Sequence, residues 1–202
     1  MKKPLNRFKA FLKDEDGLIL AETVMMLPLL IWALVAMFIY WDVFRTVNVT
    51  QKAAYSIADL LSRQRDTIPT AFLNGLQNIG DFLTPGGHEL SIRVTSFECV
   101  SPTRLVCDAN NGSYRLLFSR SPQNKVPDLT QAQIQSWRGV RIPIMNNGDS
   151  LYVVETQVDF RTQMKTVLAG FMVAVEDGTY GTFVVTRPRH RRLCLEGTNT
   201  CT

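Results

Sequence analysis

The 202-residue chain has few histidines and cysteines, the residues on which metal-dependent and Cys/His-dependent enzymes rely. It contains two histidines, His88 and His190, and its four cysteines form no CxxC pair, so neither a zinc site nor a Cys/His-dependent active site is expected. No GxSxG, GxxxxGK or HExxH motif occurs. Glycine and proline are not enriched, which excludes collagen-like and wholly disordered chains. We therefore expect no enzyme activity, no catalytic residues, no metal, no cofactor and no small-molecule substrate.

The charge is also small, because 22 Lys+Arg against 18 Asp+Glu leave a formal net charge of +4. One dense basic block stands out, formed by Arg187, Arg189, Arg191 and Arg192. It could contact nucleic acid or an acidic surface, or it could be the solvated end of a strand. No aromatic residues interleave with the arginines to stack on bases. We favour the solvated strand end and expect no nucleic-acid partner.

The apolar residues are concentrated in one run, from Leu18 to Trp41, whose only charge is Glu22. A helix of this length spans about 36 Å, enough for a hydrocarbon core of about 30 Å. A buried core helix would keep a polar face, and a cleaved secretory signal would have an apolar run of only about 7–15 residues. The run therefore predicts a transmembrane helix over residues 18–41, with a kink at Pro28.

Basic residues flank this run unequally, since five precede it within residues 1–17 and only Arg45 follows it closely. The positive-inside rule then places the N-terminus in the cytoplasm and the rest of the chain across the membrane. Disulfides persist in such exported domains. Four cysteines allow three connectivities, of which proximity favours two local pairs; buried free thiols are the alternative. The favoured pairs are Cys99–Cys107 and Cys194–Cys201.

A glycine directly precedes the apolar helix, and an acid follows at the fifth position after it. Cleavage after Gly17 would create a new α-amino group at Leu18. An ion pair between that amine and Glu22 of a neighbouring helix would fix the register of packed helices more than it would add stability. The alternative is that Glu22 is a tolerated charge near the edge of the membrane.

This junction resembles the prepilin-type signals of type IV pilins and pseudopilins. The run EDGLILAETVMMLPLLIWALVAMFIYWDVFRT, followed by QKAAYSIADLLSRQ, resembles TadE/TadG-like minor pilins of tight-adherence (Tad, Flp-type) pilus systems over about residues 8–65. Major pilins of such systems carry an aromatic residue after the glutamate, whereas Thr23 stands here, which argues against a major subunit.

The resemblance implies a minor pilin-like subunit or assembly factor of a Tad-type (type IVb-like) pilus, acting in pilus biogenesis, adhesion or secretion. It implies a bacterial inner-membrane protein whose leader, residues 1–17, is removed by a prepilin peptidase. Other pilins and pilus assembly platform proteins are the implied partners. The C-terminal domain would be periplasmic or extracellular.

The helix is expected to continue beyond the membrane as an amphipathic stretch over residues 42–65, which contain no proline or glycine. Apolar residues recur there at helical spacing and predict the face that docks on the domain. They are Val43, Val47, Ala54, Ile57, Ala58 and Leu61.

The remainder, residues 66–202, predicts an exported domain of short helices and strands. A helix is expected over residues 70–83, with Leu73, Leu76, Ile79 and Leu83 as its apolar stripe. Thr130 and Gln133 have capping-box spacing and predict the start of another helix. Residues 161–174 fit a helix or an apolar loop. Strands are expected over residues 89–97, 104–107, 113–119, 151–160 and 181–187, with a short one over 140–144.

A long helix followed by antiparallel strands predicts an α+β fold, with the helix packed on one sheet face, pilin-like in outline. Glu155 and Asp159 share one face of the strand over 151–160, and we interpret them as a solvated face rather than a catalytic acid pair. Two other functions stay open. One is a signal-anchored exported binding or scaffold protein that is neither processed nor assembled, and the other is an anchored enzyme.

Overall fold

The computed structural model describes residues 16–84, 87–102, 106–161 and 178–198, with side chains from Leu20 onward. The described helices are α1 (Asp16–Ser62), α2 (Thr70–Leu83) and α3 (Gln131–Ser136). The described strands are β1 (Glu89–Val100), β2 (Val106–Cys107), β3 (Ser113–Arg120), β4 (Met145–Asn146), β5 (Ser150–Phe160) and β6 (Gly178–Thr186).

The strands form a four-stranded sheet in the order β3-β1-β5-β6 and a small two-stranded sheet of β2 and β4. Every pair within them is antiparallel. The second half of α1 packs on the four-stranded sheet, so the predicted α+β fold is confirmed. The chain divides into two compact units between Asp42 and Val43, within α1.

In the first unit, α1 is helical from Asp16 to Asp42. Pro28 lies inside the helix, which continues on both sides of it. A proline removes one backbone hydrogen bond from a helix and can bend it. The kink expected at Pro28 stays a prediction.

In the second unit, α1 turns a narrow apolar face toward the sheet. Ala54, Ile57, Ala58 and Leu61 are buried, as their spacing predicts, whereas Val43 and Val47 are only half-buried. The two alanines allow close approach of the helix backbone to the sheet. Burial of an Ile or Leu side chain contributes about 1.5–3 kcal/mol to folding, so this face anchors the helix. The strand residues that pack in the same core are Leu90, Ile92, Val94, Tyr152, Val154, Val158 and Val184.

Helix α1 ends at Ser62, a little before the predicted end near residue 65. The carbonyl of Ser62 accepts a hydrogen bond of 3.0 Å from the backbone N–H of Arg189. The last carbonyls of a helix have no partner within the helix, so a later segment of the chain supplies one here. The buried hydroxyl of Tyr152 also donates to the carbonyl of Ala58, which ties β5 to α1.

Helix α2 has the predicted bounds, but its predicted apolar stripe is wrong in its second half. Leu73 and Leu76 are buried as expected, whereas Ile79 and Leu83 are exposed. Gly80 faces the sheet in their place, and a Cβ on it would lie only 2.5 Å from Leu90 Cδ2. The helix therefore approaches β1 through a residue without a side chain. The spacing of apolar residues in the sequence does not indicate such a contact.

The buried amide of Gln77 explains how α2 meets β1. Its Nε2 donates to the carbonyl of Leu90 at 2.7 Å, and its Oε1 accepts from the backbone N–H of Ile92 at 3.2 Å. These backbone groups lie in the part of β1 that precedes its pairing with β3, which begins at Val94. A side chain thus replaces the missing strand neighbour, as buried backbone groups require.

The opposite sheet face carries a second apolar cluster, covered by α3 and the segment that follows it. The predicted Cys99–Cys107 disulfide is present here, with Cα atoms 5.9 Å apart. The predicted capping box is also present, because Gln133 N donates to Thr130 Oγ1 and Thr130 N donates to Gln133 Oε1. The two apolar clusters therefore lie on opposite faces of the same sheet.

Most strand predictions are confirmed to within a few residues, and one is wrong. Residues 140–144 form no strand, because Pro143 lacks an N–H and Val140 and Ile144 point to solvent. The buried Met145, one residue later, pairs with Cys107 instead. Of the predicted strand over 104–107, the described part is β2. Residues 162–174 of the ambiguous segment lie outside the described residues.

The segment after β6 closes the main core. Leu193 and Leu195 are buried in it, and Ile68 pairs with Leu195 in a parallel bridge. Ile68 N donates to the carbonyl of Cys194 at 2.8 Å, and Glu196 N donates to the carbonyl of Ile68 at 2.9 Å. Cys194 is buried as well, but Cys201 lies outside the described residues, so their pairing stays a prediction.

Candidate membrane and assembly site

The first half of α1 exposes almost all of its large apolar side chains. Among the described residues, α1 is the one helix long and apolar enough to cross a membrane, and few side chains in its apolar stretch are buried. An exposed apolar surface of this kind marks a contact with lipid or with another protein. The exposed residues include Leu20, Met25, Leu29, Leu30, Met37, Phe38, Tyr40 and Trp41.

The predicted processing junction lies at the beginning of this surface. The backbone at Gly17 and Leu18 belongs to the first turn of α1. Glu22 lies one turn further along at an exposed position, and it makes no ion pair with another described residue. Residues four apart share a helix face, so Leu18 and Glu22 lie on the same side of α1. The helix thus presents a carboxylate next to the position where a new α-amino group would form.

The predicted basic patch is mostly neutralised by ion pairs within the second unit. Arg189 binds Asp59 of α1 at 2.9 Å, and Arg187 pairs with Asp149. Arg192 lies 3.3 Å from Glu98, a buried carboxylate of β1 that also pairs with Arg115. Three of the four arginines therefore hold the segment after β6 against the domain, and the description as a solvated strand end is incomplete.

Arg191 differs from the other three arginines, since it has no acidic partner in the part of the chain that the structure describes. It lines a groove of about 710 Å³ together with Arg65 and His190. Asp66 and Asp149 also line this groove, which lowers its net positive charge. Arg187 and Arg192 line the groove too, so its four arginines exceed its two aspartates by two charges and can attract an anion.

The two carboxylates predicted to share a face of β5 are not a pair. Glu155 and Arg93 lie 2.7 Å apart, and each side chain is only 11% exposed. Asp159 accepts a hydrogen bond of 2.7 Å from Thr179 Oγ1. Glu155 is thus a partly buried ion-pair partner, so the interpretation as a wholly solvated face is wrong for it.

The two histidines lie in different surroundings. His88 is buried and its ring lies 4.6 Å from that of Phe160, while His190 is exposed at the groove. Within the described ranges, no group of three or more His, Cys, Asp or Glu side chains could hold a metal ion.

Sequence reasoning missed several residues that position the second unit. Tyr152 is one, and burial raises its pKa to about 12, although hydrogen bonds to Thr186 and Ser62 act in the opposite direction. Asp108, by contrast, lies in a turn that the sequence does indicate: backbone N–H groups of Asn110 and Asn111 lower its pKa and fix the turn before β3. Residues 108–112 read DANNG, a composition typical of turns, whereas no local pattern indicates the buried contact of Tyr152.

The apolar half of α1, with its single acid near the start, is therefore the candidate site that the described residues support best. Comparisons with family models, with curated proteins and with solved structures give no match to this chain.

Proposed function

We propose that the protein is a minor pilin-like subunit or assembly factor of a Tad-type pilus. The observation that carries this proposal is an exposed apolar helix that has one acid, Glu22, one turn after the Gly17–Leu18 junction. The apolar half of α1 anchors the chain in the bacterial inner membrane, with residues 1–17 in the cytoplasm. The domain packed on the second half of α1 lies in the periplasm or outside the cell.

The chemistry belongs to a partner rather than to this chain. A prepilin peptidase hydrolyses the peptide bond between Gly17 and Leu18, and the new α-amino group at Leu18 is positively charged at neutral pH. The apolar helix then leaves lipid for a bundle of pilin helices. Both environments are apolar, so this transfer adds little hydrophobic free energy and relies on packing and polar contacts.

Glu22 supplies the polar contact that sets the register. A carboxylate surrounded by hydrocarbon is costly unless a nearby cation compensates its charge. The axial stagger of two helices that brings the amine of Leu18 on one to Glu22 on the other is therefore favoured over other staggers. Platform proteins of the pilus and other pilins are the partners, and neither nucleic acid nor a small molecule is required.

The Cys99–Cys107 disulfide supports an exported location for the domain, because disulfides persist in oxidising compartments and are rare in the cytosol. The basic leader supports the same orientation through the positive-inside rule. The two observations come from different parts of the chain and support the same orientation in the membrane.

The mass of the intact protein tests the proposal. The full chain is extracted from membranes of cells with and without the prepilin peptidase. We expect loss of residues 1–17 only when the peptidase is present, and no loss in the Gly17→Arg variant. A full-length mass in both strains would contradict processing.

A second variant tests the register role of Glu22. We expect Glu22→Ala to be processed and inserted like the parent but to enter pilin complexes far less, while Glu22→Asp, which keeps the charge, retains part of that activity. If Glu22→Ala co-purifies with other pilins as well as the parent does, the register role is wrong.

A second candidate function is a signal-anchored exported binding or scaffold protein that is not processed. The helical backbone at Gly17 favours it, because the carbonyl of the Gly17–Leu18 peptide bond is then hydrogen-bonded to the N–H four residues further along the helix. The same mass measurement separates the two candidates.

A further inference from the structure

The two edge strands of the four-stranded sheet, β3 and β6, differ in whether the outer side of their backbone is hydrogen-bonded. The outer edge of β3 is covered, since Gln131 Oε1 accepts from Leu116 N at 2.8 Å and Gln135 Nε2 donates to the carbonyl of Tyr114 at 2.6 Å. Side chains from α3 and its surroundings therefore use the backbone groups that another strand would otherwise bind.

Within the part of the chain that the structure describes, the opposite edge, β6, has no such cover. Its partner on one side is β5, over nine residue pairs from Phe160–Gly178 to Tyr152–Thr186. Among the described residues, no other strand and no side chain is hydrogen-bonded to the backbone on the outer side of β6. An open edge presents a row of N–H and C=O groups that can pair with another strand.

Proteins usually protect such an edge with a charge, a proline or a bulge. The sequence of β6, GTYGTFVVT, has neither a charged residue nor a proline, and its pairing with β5 is regular. It is rich in threonine, valine and aromatic residues, which favour strands. The devices that prevent edge-to-edge pairing are therefore missing from this edge, although they are present at the other.

We propose that the open edge of β6 pairs with β6 of a second copy of this chain, antiparallel and around a two-fold axis at Thr182. The absence of charge removes the like-charge repulsion that self-pairing would otherwise produce. An axis at Thr182 is the one that matches all nine residues of β6, and it places Thr182 opposite itself. Threonine pairs directly opposite each other are favourable in antiparallel sheets.

The other residues opposite each other in this register are also complementary. Tyr180 would lie opposite Val184 of the second copy, an aromatic and β-branched pair of the kind that stabilises sheets. Phe183 would lie opposite Gly181, and an aromatic ring across from a glycine covers the backbone that the glycine leaves bare. In the single copy, Tyr180 and Phe183 are only half-buried, so both retain surface for such a contact.

The result is an isologous contact that joins two four-stranded sheets into one of eight strands. With α1 as the membrane anchor proposed above, both copies share one membrane, which raises their effective concentration and favours even an interface of a single strand pair. This inference does not rest on the pilus function, because a processed subunit and an unprocessed anchored protein would pair in the same way.

Cysteine cross-linking in the full chain tests the register. In membranes under mild oxidation, we expect Thr182→Cys to give a disulfide-linked dimer as the main species. Thr179→Cys is the matched control on the same strand: its copy would lie opposite residue 185, about 20 Å away along the strand. It should stay at the dimer level of the parent. Equal cross-linking of both variants, or none of Thr182→Cys, would overturn the proposal.

A charge-swap experiment keeps the proposal testable if an added cysteine disturbs the native disulfide. Thr182→Lys and Thr182→Glu each place like charges opposite each other, so co-precipitation of two tagged copies should fall at least about tenfold, the factor that 1.4 kcal/mol gives. Co-expression of the two variants should restore it. If α1 alone holds the copies together, the single variants will behave like the parent, and the proposal is wrong.

Discussion

The two halves of α1 belong to one continuous helix but bury their apolar residues in different ways. Residues 43–62 direct a narrow stripe of alanine, isoleucine and leucine into their own domain and leave Gln51 and Lys52 in solvent. Residues 20–41 carry large apolar side chains around most of the circumference, and nearly all are exposed. The periodicity of the apolar residues, rather than their number, separates the half that completes a domain from the half that needs an apolar medium.

The strongest way to break this comparison is to damage the buried stripe. Leu61 is fully buried and its neighbour Leu60 is 45% exposed, so the two positions form a matched pair. We expect Leu61→Ala to lower the free energy of unfolding of the domain by about 2–5 kcal/mol, through lost burial and a cavity. Leu60→Ala should change it by less than about 0.5 kcal/mol.

Urea unfolding of the full chain in detergent micelles, followed by near-ultraviolet circular dichroism, measures both variants. Equal effects of Leu60→Ala and Leu61→Ala would mean that α1 does not pack on the sheet through this face.

The apolar half is tested by placing a charge at its centre. Leu30→Arg should cost about 2.5–3.5 kcal/mol on membrane insertion, because the guanidinium must enter hydrocarbon. Leu60→Arg, in the half that packs on the domain, should leave insertion unchanged. The fraction of protein that resists alkaline extraction from membranes reports the difference. If Leu30→Arg remains as firmly in the membrane as Leu60→Arg, residues 20–41 are not the anchor.

A smaller effect sharpens the role of Tyr152, which joins the second half of α1 to β5. Removal of its hydroxyl in Tyr152→Phe should cost about 1 kcal/mol, the net value of one hydrogen bond. Burial raises the pKa of Tyr152 to about 12, above the unfolded value of about 10. Its contribution is therefore complete below pH 10 and is lost as the pH rises toward 12.

Unfolding free energies of the parent and of Tyr152→Phe, measured at pH 8 and at pH 11, check this dependence. The difference between the two proteins should shrink or reverse at the higher pH. A difference that stays constant would show that the hydroxyl is not in the buried contact described for it.

The smallest expected effect concerns the arginines that follow β6. The side chains of Arg189 and Asp59 are 59% and 44% exposed, and exposed ion pairs contribute about 0–1 kcal/mol. Arg189→Ala should therefore lower stability by no more than about 1 kcal/mol, less at high salt, since the backbone bond to Ser62 remains. Arg191→Ala, without an acidic partner, should leave it unchanged. Thermal unfolding at two salt concentrations compares them.

The sequence predicts most of this fold because periodicity is a local property. The strand over residues 151–160, the helix over 70–83 and the capping box at Thr130 all follow from patterns within about ten residues. The buried stripe of α1 is equally readable, as Ala54 and Leu61 show. Predictions succeeded where burial on one face repeats regularly along the chain.

The errors arose where one residue meets a distant segment. Gly80 is buried because Leu90 fills the space beside it, and Gln77 is buried because part of β1 lacks a neighbouring strand. Neither fact leaves a trace in the local pattern. The ion pairs of Arg189 and Arg192 are similar, since their acidic partners lie more than 90 residues earlier in the chain. The basic block was therefore interpreted as a solvated strand end, whereas three of its four arginines form ion pairs within the domain.

Residue 68 and residue 195 pair although almost the whole sequence of the domain lies between them. This separation constrains the order in which the domain can fold during synthesis. The main core lacks Leu193 and Leu195 until the ribosome has synthesised them, so every strand of the sheet exists before its last contacts do. A chain halted just after β6 would possess each helix and strand named here and still be unable to seal its interior. Maturation of the domain is consequently a late event, completed only once the end of α1 has received its cap from the segment after β6.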